Sequence, residues 1–174
     1  MSMKNSYTNS LARKLGFRSG FESEMAKVLQ DNGVEYGYET EDCKFEYFKP
    51  VVRGSVVDRL YNRVNIVKGG KVVQECTYTV DFIVFSKDSP KPTFLETKGR
   101  FTSSDRAKMD LIKKQHPNAD IRMVFQADGK ATPKKRYSEW CEDRGIPYFI
   151  IQRPTKNKEG IYLPEDWIDE FTSN

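Results

Sequence analysis

The chain has 174 residues, 37% hydrophobic and 31% charged, and its 29 basic and 25 acidic side chains leave a net charge of only +4. That length suits one domain with a substantial core. The periodic apolar runs exclude disorder throughout, and no run approaches the roughly 18 residues of a membrane helix, so no membrane role is expected.

Three widely spaced cysteines, Cys43, Cys76 and Cys141, form no CxxC or Cys/His cluster. They point away from zinc and toward a reduced, cytoplasmic setting. The N-terminus has no apolar core of a secretory signal. Residues 1–15 read instead as a flexible basic arm that includes Arg13 and Lys14, and residues 16–174 read as a single domain.

Ser19 or Gly20 caps a predicted helix over residues 21–32, with Phe21, Met25, Val28 and Leu29 at helical spacing and Asn32-Gly33 as its stop. Glu22 falls in the first turn, where the helix dipole favours a negative charge. By spacing alone it is an N-terminal helix carboxylate. Residues 34–40 and 43–48 are predicted strands. Residues 49–77 are the least regular stretch, but Gly69-Gly70 between residues 63–68 and 71–76 marks a tight hairpin.

Two strand-like runs follow: Tyr78 through Phe85, and Thr93 through Gly99. Paired as a hairpin, they bring Asp81 beside Glu96. Alternation puts Glu96 and Lys98 on one face and Thr97 on the other. Charges inside apolar runs are costly unless they serve a purpose. Two carboxylates and a backbone carbonyl make an oxygen-rich site for Mg²⁺ or Mn²⁺. A neighbouring lysine can orient water or steady a developing anion. An aspartate followed by Glu-x-Lys is the pattern of a metal-dependent nuclease core, although such spacing also arises by chance on exposed strands.

Ser103-Ser104-Asp105 opens a predicted helix to Gln115, with Ala107, Leu111 and Ile112 buried and Pro117 as its stop. Arg106, Lys108, Lys113 and Lys114 give that helix a basic outer surface. Residues 120–125 form a strand, residues 130–136 a basic mobile loop, residues 137–144 a short helix ended by Gly145, and residues 147–151 a further strand. A last helix starts at Pro164. His116 reads as a helix C-cap, and Trp140 and Trp167 as core anchors. The whole is an α/β arrangement, a central mixed sheet flanked by helices.

Several motifs occur in order. They are Gly16-Phe17-Arg18-Ser19-Gly20-Phe21-Glu22, Tyr78-Thr79-Val80-Asp81-Phe82, Glu96-Thr97-Lys98-Gly99, Gln115-His116-Pro117, Tyr137-Ser138-Glu139-Trp140-Cys141-Glu142, and Leu163-Pro164-Glu165-Asp166-Trp167-Ile168. Together they resemble the phage endonuclease I family of Holliday-junction resolvases, over most of residues 16–168. The resemblance implies a restriction-endonuclease-like PD-(D/E)xK fold in an intertwined homodimer with composite active sites. It implies that Glu22 reaches into the partner's site. The same resemblance implies that Asp81 and Glu96 hold the metal together with the Thr97 carbonyl and Glu22, and that Lys98 is the catalytic lysine.

The implied substrate is branched DNA, above all a four-way junction, cut with Mg²⁺ (Mn²⁺ as a substitute) to leave 5′-phosphate ends. Arg13, Lys14, Arg18, Arg106, Lys108, Lys134, Lys135 and Arg136 are the candidate DNA contacts. The chain departs from the family pattern in a longer segment 49–77, where the dimer bridge is expected, and in lacking a strongly basic C-terminal tail. Two other readings stay open: a restriction-type or non-specific duplex endonuclease of the same fold, and a non-catalytic branched-DNA-binding module.

Overall fold

A computed structural model describes residues 14–50, 65–68, 71–86, 89–151 and 161–173; the side chains of 65–68, 71 and 72 are outside that description. Helix α1 (Gly20–Asp31) begins as predicted. The Ser19 hydroxyl accepts from the Glu22 amide at 3.2 Å, and Gly33 leaves the helix with φ of 69°. A helix this short is marginal alone. Burial of Phe21, Met25, Val28 and Leu29 fixes it, each full burial being worth roughly 1.5–3 kcal/mol.

Strands β1 (Tyr36–Tyr38), β2 (Lys44–Pro50), β3 (Asn65–Lys68), β4 (Lys71–Thr79), β5 (Phe82–Val84) and β6 (Thr93–Lys98) follow. Next come helix α2 (Ser103–Gln115), strands β7 (Asp120–Phe125), β8 (Lys130–Thr132) and β9 (Lys135–Arg136), and helix α3 (Tyr137–Glu142). Strand β10 (Tyr148–Ile150) and helix α4 (Glu165–Thr172) complete the described elements. The central sheet has the order β1-β5-β6-β7-β10, antiparallel from β1 to β6 and parallel from β6 to β10. It is the mixed, helix-flanked sheet the sequence predicts.

Strand alternation divides the core between the two faces. Ile83, Phe94, Ile121, Met123 and Phe125 pack with Met109 and Ile112 of α2, Trp140 of α3, and Phe45 and Tyr47 of β2. Phe82, Val84, Leu95 and Val124 pack with α1 and with Trp167 and Phe171 of α4. Both tryptophans are core anchors, as expected.

Several local predictions are corrected. The run from Tyr78 to Phe85 is two strands in two sheets. β4 belongs to a separate sheet, β2-β4-β3, while β5 belongs to the central one. Val80, Asp81 and Phe82 are all buried in succession, which a single strand with one solvated face does not do. The corner is held by hydrogen bonds from the Val80 amide to the Cys43 carbonyl (3.0 Å) and from the Glu39 amide to the Asp81 carbonyl (2.9 Å). The predicted strand 34–40 shortens because Glu39 turns to φ of 46° and a 3-10 turn, Glu41–Cys43, intervenes. The hairpin around Gly69-Gly70 has the expected register, Lys68 opposite Lys71; the two glycines themselves lie outside the described residues.

Helix α2 is capped one residue earlier than predicted, by Thr102, in a box with Asp105. Its buried stripe is Met109 and Ile112, with Ala107 exposed. Leu111 packs against the same core as expected, and Gln115 ties the helix to β2 by bonding both backbone groups of Phe48 (2.9 and 2.8 Å). His116 is the C-cap, and its Nε2 also meets the Glu46 carbonyl at 2.7 Å. Residues 130–136 are the hairpin β8-β9 in place of a mobile loop. The Thr132 hydroxyl accepts from the Lys134 and Lys135 amides at 3.3 and 3.1 Å and closes the turn. Helix α3 ends two residues early, and Gly145 at φ of 58° makes the turn that follows.

Candidate active site

The site forms where the corner at Asp81 meets the C-terminal half of β6. Pairing of Phe82 with Leu95 sets Asp81 against Glu96, and the Asp81 amide points to Glu96 Oε2 at 3.3 Å. Both carboxylates are almost wholly buried, at 1% exposure. Lys98, two residues on along β6, forms an ion pair with Glu96 Oε1, and the Tyr78 hydroxyl donates to the same oxygen. The predicted alternation therefore holds. Thr97, on the other face, gives its amide (2.8 Å) and hydroxyl (2.6 Å) to Asp81 Oδ2. In this structure the groups of Thr97 that act on the site are these two donors.

The remaining oxygen of Asp81 accepts from Arg18 Nη2 at 2.8 Å. The same nitrogen lies 2.7 Å from Glu39 Oε1, and Arg18 Nε lies 4.0 Å from Glu22 Oε2. Glu22 also accepts from the Arg18 amide (2.9 Å) and the Tyr38 hydroxyl (2.5 Å). Glu22 is thus more than a helix-end charge. It is buried at the N-terminus of α1 and connects through Arg18 to the Asp81 of its own chain.

Burial, reinforced by neighbouring Asp81, pushes Glu96 up to about 7, against the opposing pull of Lys98. Burial also raises Asp81, although Thr97 and Lys98 work the other way. Burial alone would lower Lys98, but Glu96 outweighs it and holds the lysine above its ordinary range. Tyr78 is raised strongly by burial and by Glu96, so its hydroxyl stays a donor. Burial raises Glu39 despite the adjacent Arg18. Carboxylates whose charged form is disfavoured by burial and by one another suit a cation.

The donor chemistry fits a hard divalent ion. Asp81 and Glu96 are adjacent oxygen donors, and among the described residues Glu22, Asp81, Glu96 and the neighbouring Glu39 form ion pairs with two cations, Arg18 and Lys98. Among the described residues, no group of three or more His, Cys, Asp or Glu stands close enough together to hold a metal ion. The ready-made pair is Asp81 and Glu96, with Glu22 and Glu39 held off by the intervening guanidinium.

The basic residues expected at DNA separate into groups. Arg13 lies outside the described residues, and Lys14 is exposed. Arg18 is at the carboxylates. Lys108 lies beside the site, 5.4 Å over the Tyr78 ring and 3.3 Å from Asp105, while Arg106 donates to the Phe101 carbonyl at 2.6 Å. Lys134 is exposed on the β8-β9 hairpin, Lys135 pairs with Asp143, and Arg136 donates to the Asp128 carbonyl at 2.7 Å. Sequence reasoning missed Glu39, Tyr38 and Tyr78 as site residues. Tyr78 sits three positions before Asp81, a spacing that could have flagged it. Nothing local marks Glu39, whose left-handed backbone is invisible in the sequence.

Residues 53–172 match the family model described as phage endonuclease I. The chain is similar to "Endonuclease I" of Escherichia phage T7, with 32% identity over 91% of this chain and 83% of that protein. It is similar also to "Endodeoxyribonuclease 1" of Enterobacteria phage T3, with 32% identity over 83% of this chain and 78% of that protein.

Proposed function

This chain belongs to the phage endonuclease I family, and on that premise we propose that it resolves four-way DNA junctions and other branched DNA by Mg²⁺-dependent phosphodiester hydrolysis. That the chain is a nuclease acting on DNA follows from the family itself. The observation that carries the chemistry is the buried Asp81–Glu96 pair with Lys98 on the same strand face.

Asp81 and Glu96 are the residues that would hold the divalent ion, with the Thr97 carbonyl and Glu22 as further donors. The ion would supply charge stabilisation and water activation. The chain's own groups do the rest. Thr97 fixes the orientation of Asp81 through two hydrogen bonds, and Tyr78 fixes that of Glu96. Lys98, held by Glu96, faces the scissile phosphate, orients the attacking water and offsets charge that builds on the non-bridging oxygens. The water's oxygen bonds to phosphorus as its proton passes to solvent, the bond to the 3′ oxygen breaks, and that oxygen takes a proton from solvent. The ends are 5′-phosphate and 3′-hydroxyl.

The enzyme acts as a homodimer, in which α1 with its Glu22 serves the partner's carboxylates; much of the segment 49–77 expected to bridge the two chains lies outside the described residues. The contacts seen here within one chain would then form between two. A symmetric dimer matches the paired, equivalent strands of a four-way junction. Recognition relies on phosphate position and branch shape, with Lys14, Lys108 and Lys134 as contacts.

The test sets a four-way junction against a linear duplex of the same arm sequences, at equal Mg²⁺. Paired cuts near the crossover with little duplex cleavage are expected. Equal cutting of both substrates would make the chain a duplex endonuclease of the same fold.

A further inference from the structure

Arg18 is the one cation seated on Asp81 by a direct hydrogen bond in the described residues, and it is held from several sides. Its Nη2 spans Asp81 Oδ1 and Glu39 Oε1, at 2.8 and 2.7 Å, with Glu22 Oε2 at 4.0 Å from Nε. The oxygen it covers is the free side of Asp81, since Oδ2 already accepts two bonds from Thr97. A divalent ion bound by Asp81 would need the same position. Two cations cannot share one carboxylate oxygen at hydrogen-bond distance without strong mutual repulsion.

We propose that Arg18 is an internal counter-ion that occupies the cation position of Asp81 in the DNA-free enzyme, and that Arg18 must swing out for a divalent ion to be held. A DNA phosphate is its acceptor in the swung-out state. This rests on the reading of Asp81 and Glu96 as the metal-holding pair.

The geometry allows the exchange. The Arg18 side chain is 60% exposed while Asp81 is 1% exposed. Arg18 therefore covers a buried anion from the solvent side and can leave without disturbing the core. It precedes the Ser19 cap, so α1 keeps its first turn when the side chain moves. Glu39 is the latch. Its amide bonds the Asp81 carbonyl at 2.9 Å, which fixes its side chain beside the same guanidinium nitrogen. Moving Arg18 to a phosphate uncovers Asp81 and brings a bidentate donor to the substrate. Binding DNA and loading the ion thereby become one coupled event.

The experiment measures Mn²⁺ binding to the DNA-free protein by the paramagnetic resonance of the free ion. It compares the wild type with Arg18→Gln, Arg18→Lys and Lys27→Gln. Lys27 pairs with Asp31 on an exposed part of α1 and serves as the charge-matched control. Arg18→Gln is expected to bind Mn²⁺ roughly tenfold more tightly, because apparent affinity scales with the fraction of molecules in which the site is free. Arg18→Lys should fall between Arg18→Gln and wild type, and Lys27→Gln should match wild type. Adding junction DNA whose 3′ bridging oxygens at the cut positions are replaced by methylene groups, which removes the bond that would be cleaved, should tighten Mn²⁺ binding more in wild type than in Arg18→Gln.

Equal, measurable affinities in wild type and Arg18→Gln would overturn the counter-ion role and leave the nuclease reading intact. An equal gain in Lys27→Gln would overturn it too, by reducing the effect to net charge. No Mn²⁺ binding in any variant, with or without DNA, would overturn both.

Discussion

Glu96→Gln is expected to lower the rate of junction cleavage by at least about 10²- to 10³-fold, the usual cost of removing one group that stabilises charge in the transition state. Junction binding should stay within a few fold of wild type. The substitution keeps the shape of a side chain that is 1% exposed. It leaves oxygen Oε1 to accept from Tyr78 and Lys98, but removes the charge that holds the lysine in place. Lys14, Lys108 and Lys134, the lysines proposed to meet DNA, have no bond to Glu96 among the described contacts, so affinity has no reason to follow the rate. Binding by gel shift in EDTA and single-turnover cleavage in Mg²⁺ separate the two effects. Loss of binding together with cleavage would mean that Glu96 holds the fold and has no chemical role.

The metal-free protein should become less stable as pH rises from about 4.5 to about 7. Glu96 is ordinarily near 4.5 and is pushed up to about 7 in the folded chain, chiefly by burial and then by Asp81. Between those values the folded state holds a proton that the unfolded state has released, so raising the pH favours unfolding, by up to about 1.4 kcal/mol per pH unit. Below about 4.5 both states are protonated and the contribution of Glu96 is fully present. Above about 7 it is lost. Asp81, raised in the same direction, adds to the slope. Urea unfolding in EDTA at a series of pH values checks this, and Glu96→Gln should flatten the slope. An unchanged slope in the variant would place the titration elsewhere. Because the ion would bind the deprotonated carboxylate, Mg²⁺ affinity should fall by up to about tenfold per pH unit below about 7.

Much of this was legible in the residues. The Glu96–Lys98 pairing follows from strand alternation alone, and Asp81 beside Glu96 follows from a hairpin register. The helix borne by Phe21, Met25, Val28 and Leu29 was set by its apolar period and its serine cap. What escaped was non-local. The break at Val80 and Asp81 is made by partners, Cys43 and Glu39, some forty residues away in sequence, and no local propensity encodes it. On α2 the expected Ile112 is buried and Leu111 packs against the core, but Met109 is buried where Ala107 was expected, and Gln115 ties the helix to β2 through contacts no local pattern encodes. The basic segment 130–136 lacked strand periodicity yet folds back through one threonine hydroxyl. Glu39 carries no motif, and its place at the site depends on a backbone turn that only the tertiary structure reveals.

The most direct test of the carboxylate pair as a metal-dependent cutting site is single-turnover cleavage of a four-way junction in Mg²⁺, in EDTA, and in EDTA with excess Mg²⁺ restored. Cutting is expected in the first, none in the second and full recovery in the third. Cutting that persists in EDTA would contradict a metal-dependent site at Asp81 and Glu96.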